Sequence, residues 1–585
     1  MTATPAREAP AVTSSAVERV RDAYARIDEV DRPEVWITLR DQDDAIEAAA
    51  AIDARVAAGE TLPLAGATLA VKDNIHVGGL PTTAGCPAFA ETPAHSAAAV
   101  SDLVEAGAVV IGKTSLDQFA TGLTGTRSPH GPVRDARRPD YVSGGSSSGS
   151  AVAVALGIAD LALATDTAGS GRVPAAFQGI VGIKPTRGLV SLAGVVPACR
   201  SFDCVSLFAP TLEAAERAFA LVARPRTDDT LARRWPRDAP LGIQPPFDLA
   251  IPSEDALDAL SSAAQLAFAD AAARLAGAGA TLVTVDISPL LEAGRLLYGG
   301  AFVAERYAAV GAFARAHPEA MDPIVAEILG EAGELSAHQL VADTERLDTL
   351  RARVGRELAG TAALLLPTAP AQPTIAAVAA APRDANDALG IYTTATNLLD
   401  LCAVSVPAGT ADGGCFGVSV LGRAFADRVC ADIARMLADG AAGGRVHPAR
   451  AGPEAVPLLV VGAHLSGQPL NGQLTAAGAV LEGSVQTSPE YRLHRLDTDP
   501  PKPGLVRVAR GGAEVAGELW LLSPAALGDF LAVLPRPMAL TQVLLSDGRD
   551  VVGFTCEAAA IDGAPDITAH GGWRAYLASA AASSP

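Results

Sequence analysis

The sequence predicts an α/β protein with a smaller, strand-bearing domain behind it. Short apolar runs of strand length alternate with helical segments as far as about Gly440, and the stretch Ala441–Glu454, AAGGRVHPARAGPE, has the glycine and proline content of a linker. Strand signals dominate the residues beyond it. At 585 residues the chain also exceeds what one hydrophobic core usually supports.

Taken in order, Met1–Val17 is expected to be disordered and Val17–Asp31 to begin the first amphipathic helix. Ala67–Val71 reads as a strand that ends at Lys72, Ala151–Gly157 as a short helix of small residues, and Leu161–Thr165 as a strand ending at Asp166. Leu257–Glu357 is expected to be mostly helical, a cap on a sheet to which Leu364–Pro370 returns the chain. In 457–585 the runs LLVVGAH, GELWLL and TQVLLSDGRDVVGFT are strand-like, the last with a Ser-Asp-Gly turn that suits a hairpin. The expected limits are 1–440 for the first domain, 441–456 for the linker and 457–585 for the second domain.

Chemistry concentrates in Tyr141–Pro174, YVSGGSSSGSAVAVALGIADLALATDTAGSGRVP, where two serine-glycine knots flank a short helix and an apolar strand. A tight turn such as Asp166-Thr-Ala-Gly-Ser170 aims successive backbone N–H groups at one spot, and the start of the next helix favours negative charge there. Such a spot suits an oxyanion. Local pattern alone leaves a plain glycine-rich connector equally open.

Only four lysines occur, Lys72, Lys113, Lys184 and Lys502, among 45 basic residues. A lysine kept where arginine is otherwise used is a candidate for losing its proton, because burial lowers a lysine pKa readily whereas guanidinium stays charged. Lys72 is the best placed, just before Asp73-Asn74; chance retention of a surface lysine is the competing reading.

Two motifs point elsewhere and fail on context. Gly107–Thr114 spells GxxxxGK[ST], yet the residues between its glycines are themselves strand-like, whereas a phosphate loop follows a strand. Gly145-Ser-Ser147-Ser-Gly149 spells GxSxG, but Arg137-Arg138-Pro139-Asp140 ahead of it is not the buried strand that such an elbow crowns.

A formal charge of −20 argues against a nucleic-acid partner. It leaves an anionic substrate open, since a local arginine outweighs a distant field screened over about 8 Å. Seven cysteines, an odd number without a CxxC pair, fit a reducing cytoplasm. The N-terminal MTATPAREAPAV lacks the apolar core of a signal peptide, and no uninterrupted apolar run has membrane-spanning length, so neither export nor a membrane is expected. The histidines show no HExxH or HxxxH spacing, and no metal or cofactor is expected.

Lys72 in AVKDNI, Ser146 in GGSSSGSA and Ser170 in DTAGSGRVPA resemble the Ser-Ser-Lys triad of the amidase signature family, and the 24-residue interval between the serines fits. The resemblance covers the first three quarters of the chain. Ser148, Ala168 and Gly171 depart from the general pattern GGSSGGS and DTGGSIR, and these departures, with GTRSPHGPVRDA and VGIKPTRGLVSLAGVVPACRSFDCVSLFAPT, are similar to the allophanate hydrolase branch. The resemblance implies an amidase signature fold, a mixed central sheet flanked by helices. It also implies a small C-terminal α+β domain resembling gamma-glutamyl cyclotransferase, and a homodimer. Ser170 would be the nucleophile, Ser146, preceded by a cis peptide, the proton relay, and neutral Lys72 the base. The backbone N–H groups of Thr167, Ala168, Gly169 and Ser170 would form the oxyanion hole.

The substrate implied by that branch is allophanate, a small urea carboxylate. Leu296–Val310, LLYGGAFVAERYAAV, resembles the stretch in which a tyrosine and an arginine hold its carboxylate, here Tyr298 and Arg306. In a straight helix these Cα atoms would lie about 12 Å apart along the axis. Gly299-Gly300 is placed to break the helix, since each glycine costs about 1 kcal/mol in a helix interior. Packing of Tyr298 in the core and pairing of Arg306 with Glu305 or another acid on the surface stand as the alternative. In the second domain His464 matches a family histidine, although a lone histidine after an apolar strand is more often a structural hydrogen-bond partner. Hydrolysis of a different small amide, or a non-catalytic binding protein on the same fold, are the competing functions.

Overall fold

The first helix begins with a capping box: Ser15 Oγ accepts from Glu18 N–H at 3.2 Å and Glu18 Oε2 accepts from Ser15 N–H at 2.9 Å. Asp53 accepts from the N–H groups of Ala16 and Val17 at 2.7 and 3.2 Å, so the free amides at the helix start find carboxylate partners. Residues 15–17, expected to be disordered, are therefore the capped start of the helix Ala16–Val30. The computed structural model describes residues 14–227, 229–439 and 452–582, so residues 1–13 of that expected segment, and the expected linker as far as 451, lie outside the described residues.

The described chain divides into two compact units, 14–234 with 246–439, and 235–245 with 452–582. The expected first domain is thus interrupted. Trp235–Pro245 joins the smaller unit, in which Arg237 O accepts from Ala525 N–H at 3.3 Å.

The larger unit is built on eleven strands. They are β1 Trp36–Leu39, β2 Thr68–Lys72, β3 Val109–Thr114, β4 Leu161–Asp166, β5 Val181–Lys184, β6 Cys204–Ala209, β7 Phe247–Pro252, β8 Ala280–Val285, β9 Ala363–Pro367, β10 Cys402–Ala411 and β11 Gly414–Gly422. Their order across the sheet is β1-β3-β2-β4-β6-β5-β10-β11-β9-β7-β8. Parallel pairing joins β3-β2-β4 and β9-β7-β8, and the strands between pair antiparallel, so the sheet is mixed. β2 and β4 are buried along their whole length, which is why they read as apolar runs without alternation. The helical region expected between Leu257 and Glu357 holds five α-helices, with the edge strand β8 threaded among them.

The smaller unit has β12 Val456–Val460, β13 Val480–Gln486, β14 Tyr491–Leu496, β15 Lys502–Arg507, β16 Ala516–Leu522, β17 Met538–Leu544 and β18 Asp550–Cys556. Five of them form a sheet in the order β13-β16-β12-β18-β17, and β14 pairs with β15. The expected hairpin is β17–β18, which pairs Leu544 with Asp550 and turns through Gly548 at φ +89°. Fully buried Trp520 sits in this unit's own apolar cluster with Leu459, Val543 and Phe554.

The helix Ser148–Ala155 lies so close to the backbone before β1 and just after β3 that a Cβ at Gly149 would lie 2.3 Å from Val35 O and 2.7 Å from Ser115 N. Both obstacles are backbone. Gly149→Ala should therefore destabilise the larger unit by about 1–3 kcal/mol, the usual cost of overpacking a core, seen as a lower midpoint of its thermal transition; an unchanged midpoint would show that the helix shifts freely.

Candidate active site

β2 and β4 run parallel as neighbours, with Val71 opposite Leu163, so Lys72 and Asp166 at their C-terminal ends arrive at one place. In α/β sheets that end is where ligands bind. Lys72 is fully buried, and Nζ donates to Ser146 Oγ at 2.8 Å and to Thr165 Oγ1 at 2.7 Å. Burial pushes its pKa down to about 7, although Asp117, Asp166 and Asp203 favour the cation, and Arg306 adds to the depression. At neutral pH a large share of this amine is unprotonated.

Ser146 follows a cis Gly145–Ser146 peptide, as the family resemblance implies. Gly145 leaves room for Asp117: a Cβ there would lie 2.2 Å from Asp117 Oδ2. Asp117 accepts from the N–H groups of Gly125 and Arg127 at 3.0 and 2.9 Å, and its own N–H donates to Ser146 O at 3.2 Å. Burial pushes the Asp117 carboxyl up in spite of Arg127.

Ser170 is 3% exposed and closes the turn that leaves β4. Gly169 takes φ +132°, and a Cβ on it would lie 2.3 Å from Thr393 Oγ1, so this position needs glycine on both counts. Thr393 Oγ1 also donates to Ala168 O at 2.8 Å. The Gly169 N–H donates to Asp166 Oδ1 at 3.0 Å. This bond engages the one proton of the Gly169 amide, one of the four amides expected to meet an oxyanion. The amides of Thr167, Ala168 and Ser170 make no hydrogen bond among the described residues. No hydrogen bond joins Ser146 Oγ and Ser170 Oγ among the described residues either; contacts of this kind tighten when substrate enters.

What shapes the turn is a buried ion pair. Arg172 donates from Nε to Asp166 Oδ2 and from Nη2 to Asp166 Oδ1, both at 2.9 Å, with neither side chain exposed. Arg172 also donates to Thr393 O, Thr396 Oγ1 and Asn397 Oδ1, while Asn397 Nδ2 donates to Asp166 O at 2.8 Å. Burial would raise the Asp166 pKa, but Arg172, Lys184 and the Gly171 amide outweigh it and hold the carboxyl below its usual range.

Tyr298 and Arg306 also meet. The helix Ser288–Arg295 stops short of Gly299-Gly300, a short turn of 3-10 helix spans Ala301–Val303, and the helix Ala304–Ala316 starts afresh. The break lets Arg306 Nη2 donate to Tyr298 Oη at 2.9 Å with the guanidinium 5.2 Å from the ring centre. Arg306 is 2% exposed, and Glu305 is engaged elsewhere, accepting from Ser201 N–H at 2.8 Å. The alternative of a surface pair with Glu305 is therefore excluded.

His464, in the smaller unit, is nearly buried, with Nε2 3.0 Å from Gln473 Oε1 and its ring stacked on Phe554 at 4.9 Å. It lines a cavity of about 350 Å³ with Gln473, Lys502, Phe530 and Phe554. Burial pushes its pKa down against the hydrogen bond with Gln473, and Lys502 adds to the lowering.

Both misleading motifs have structural explanations. Lys113 lies within β3, fully buried in an ion pair with Asp73 at 2.9 Å, so it faces no phosphate. Ser147 Oγ donates to Thr165 O at 3.1 Å and is buried. Sequence reasoning passed over Thr165, Asp117, Arg172 and Asn397. Asp166 and Arg172 left one signal, opposite charges either side of a small-residue turn; Asn397 lies 231 residues from Asp166 and left none.

A profile of the family described as Amidase matches residues 18–430, well over half of the chain. The chain belongs to the amidase family. A second profile, Allophanate hydrolase C-terminal domain, matches residues 456–578. The urea amidolyase of Saccharomyces cerevisiae is 40% identical over 546 residues, 88% of this amidase but 30% of that protein. The urea amidolyase of Lachancea kluyveri is 41% identical over 551 residues, again 30% of its length. The chain thus spans under a third of these curated relatives. The solved allophanate hydrolase of Kluyveromyces lactis superposes with a TM-score of 0.87 at 37% identity, covering 97% of each chain.

Because an ammonium cannot accept a proton, amide turnover should fall as pH drops through about 7, where the buried Lys72 amine becomes charged. Lys72→Arg should be as damaging as Lys72→Ala, since guanidinium stays protonated. Initial rates from pH 5 to 9 check both expectations. An arginine variant of near-normal activity would mean that Lys72 contributes only charge.

Proposed function

We propose that this amidase hydrolyses the terminal amide of allophanate, with Lys72, Ser146 and Ser170 as its catalytic triad and Tyr298 and Arg306 as its carboxylate anchor. The observation that carries the reading is the buried Arg306 beside Tyr298, whose charge acts on Lys72 and which has no carboxylate partner among the described residues. Guanidinium matches a carboxylate through two parallel hydrogen bonds, a geometry that lysine does not offer.

Neutral Lys72 takes the Ser146 proton as Ser146 takes that of Ser170, and Ser170 Oγ attacks the carbonyl carbon that bears the terminal NH2. The negative oxygen of the tetrahedral intermediate is met by the free amides of Thr167, Ala168 and Ser170, each worth about 3–4 kcal/mol by the precedent of other acyl-transfer enzymes. Collapse breaks the C–N bond, and the proton returns through Ser146 to the leaving nitrogen, which departs as ammonia. Water, deprotonated along the same relay, then cleaves the ester to Ser170 and releases a dicarboxylated ammonia. Loss of two carbon dioxide molecules from it frees the second ammonia.

The cavity around His464 is proposed to assist that decarboxylation. Lys502 supplies a positive charge in its wall, and the ring of His464 is fixed by Gln473 and two phenylalanines. A homodimer and a cytoplasmic setting belong to the same proposal; the latter is supported by seven free cysteines, and no described helix is long and apolar enough to cross a membrane. Light scattering of the purified protein tests the dimer.

Ser170→Ala should abolish ammonia release while leaving the thermal midpoint in place, because the change opens no large cavity; turnover by this variant, free of wild-type protein, would remove Ser170 from its role. Arg306→Lys and Arg306→Gln should weaken hydrolysis of allophanate by about 2–5 kcal/mol and that of neutral propionamide far less. Equal losses on both substrates would favour a different small amide. His464→Ala should release the first ammonia normally and let the dicarboxylated product accumulate, as early-time ¹³C NMR would show; its absence would withdraw the decarboxylation proposal alone.

A further inference from the structure

Arg306 gives one Nη2 proton to Tyr298, and its Nη1 end is tied separately. Its Nη1 donates to Thr121 Oγ1 at 2.8 Å and lies 3.4 and 3.5 Å from the carbonyl oxygens of Ala120 and Phe119. Its Nε is buried without a hydrogen-bond partner among the described residues. Phe119 and Ala120 bring their carbonyls to that one nitrogen by adopting φ +50° and +53°, a left-handed conformation that non-glycine residues rarely take. We propose that the turn Phe119–Thr121 is a specificity-determining device, which anchors Arg306 through Nη1 and so turns the Nε–Nη2 edge of the guanidinium toward a substrate carboxylate. The proposal rests on the carboxylate-substrate reading and adds the residues that enforce it.

The chemistry stems from the planarity of guanidinium. Its five N–H groups are fixed in one plane, and Nε and Nη2 share the edge that forks onto two carboxylate oxygens. An arginine free to swing would present any edge; one held at Nη1 presents that one. Two further ties keep the turn and the helix of Arg306 in register. Phe119 N–H donates to Ala84 O at 2.8 Å and Arg127 Nη1 donates to Thr121 O at 2.9 Å, which holds the turn. Val310 and Phe313, four and seven residues after Arg306 on the same helix, lie on one face with it and join Phe119 in an apolar cluster. Phe119 and Phe313 meet at 6.0 Å between ring centres, and Phe89 packs edge-on against both.

Thr121 touches no reacting atom in this scheme, so it is a positioning residue. The test compares wild type, Thr121→Val, Thr121→Ser and Arg306→Gln on allophanate, with biuret as competitor because it replaces the carboxylate by a neutral carboxamide of the same shape. Thr121→Val should raise the allophanate KM roughly tenfold with kcat within about twofold and the biuret inhibition constant within about twofold, while Thr121→Ser restores the KM. A valine variant that weakens both compounds equally, or neither, overturns the proposal. Should Arg306→Gln discriminate between allophanate and biuret while Thr121→Val does not, the carboxylate reading stands and the role of the turn falls. Should Arg306→Gln weaken both alike, the carboxylate reading itself fails. If the valine variant does not fold, Thr121→Ala carries the same expectations.

Discussion

An amine taken out of water at the end of β2 is the constraint around which the larger unit is organised. Moving an isolated ammonium into a protein interior costs several kcal/mol, so the group gives up its proton unless counter-charge is supplied. Here Asp117, Asp166 and Asp203 supply some, yet burial prevails and leaves Lys72 poised near neutrality. That balance requires closely fitted surroundings. Parallel β2 and β4 deliver Lys72 and Thr165 together, and the loop through Gly145 lays Ser146 directly on the amine.

The turn after β4 meets the opposite demand, keeping amides free although they are buried. Its carboxylate, Asp166, is fully satisfied by Arg172 and by the amides of Gly169 and Gly171. Hydrogen bonds to charged groups are worth about 1.5–3 kcal/mol each, and several of them acting on one short segment hold a backbone path that would otherwise relax. The path leaves the amides of Thr167, Ala168 and Ser170 unspent. The Gly169 amide is absorbed in building the turn.

In the proposed reaction the triad would serve amides in general, and selectivity would come from the far side of the site. There the fold places one buried guanidinium with its orientation determined by a strained turn and an aromatic cluster. A site that holds a polar group in this way discriminates strongly, because a ligand lacking the matching charge leaves it unpaired. The smaller unit has its own sheet, its own apolar core and its own cavity at His464.

Residues whose environment is local were legible in the chain. β2 and β4 announced themselves as unbroken apolar runs because both faces are covered, and the rarity of lysine singled out Lys72 because no arginine can lose its proton at neutral pH. Gly299-Gly300 announced a helix break because glycine weakens a helix by its own backbone entropy. The rest was decided by tertiary structure. That Ser15–Val17 are ordered depends on Asp53, that Trp235–Pro245 sides with the smaller unit depends on packing far along the chain, and that the Gly169 amide is engaged within the turn depends on where the Asp166 carboxylate points. Thr121 and Asn397 carry no sequence signal, since a hydroxyl or an amide becomes informative only when folding sets it against a buried charge from a distant segment. The sequence by itself determined the kinds of groups present and the strands that carry them; the direction in which each donor and acceptor points, and hence which of them remain free for a substrate, was decided only by long-range packing.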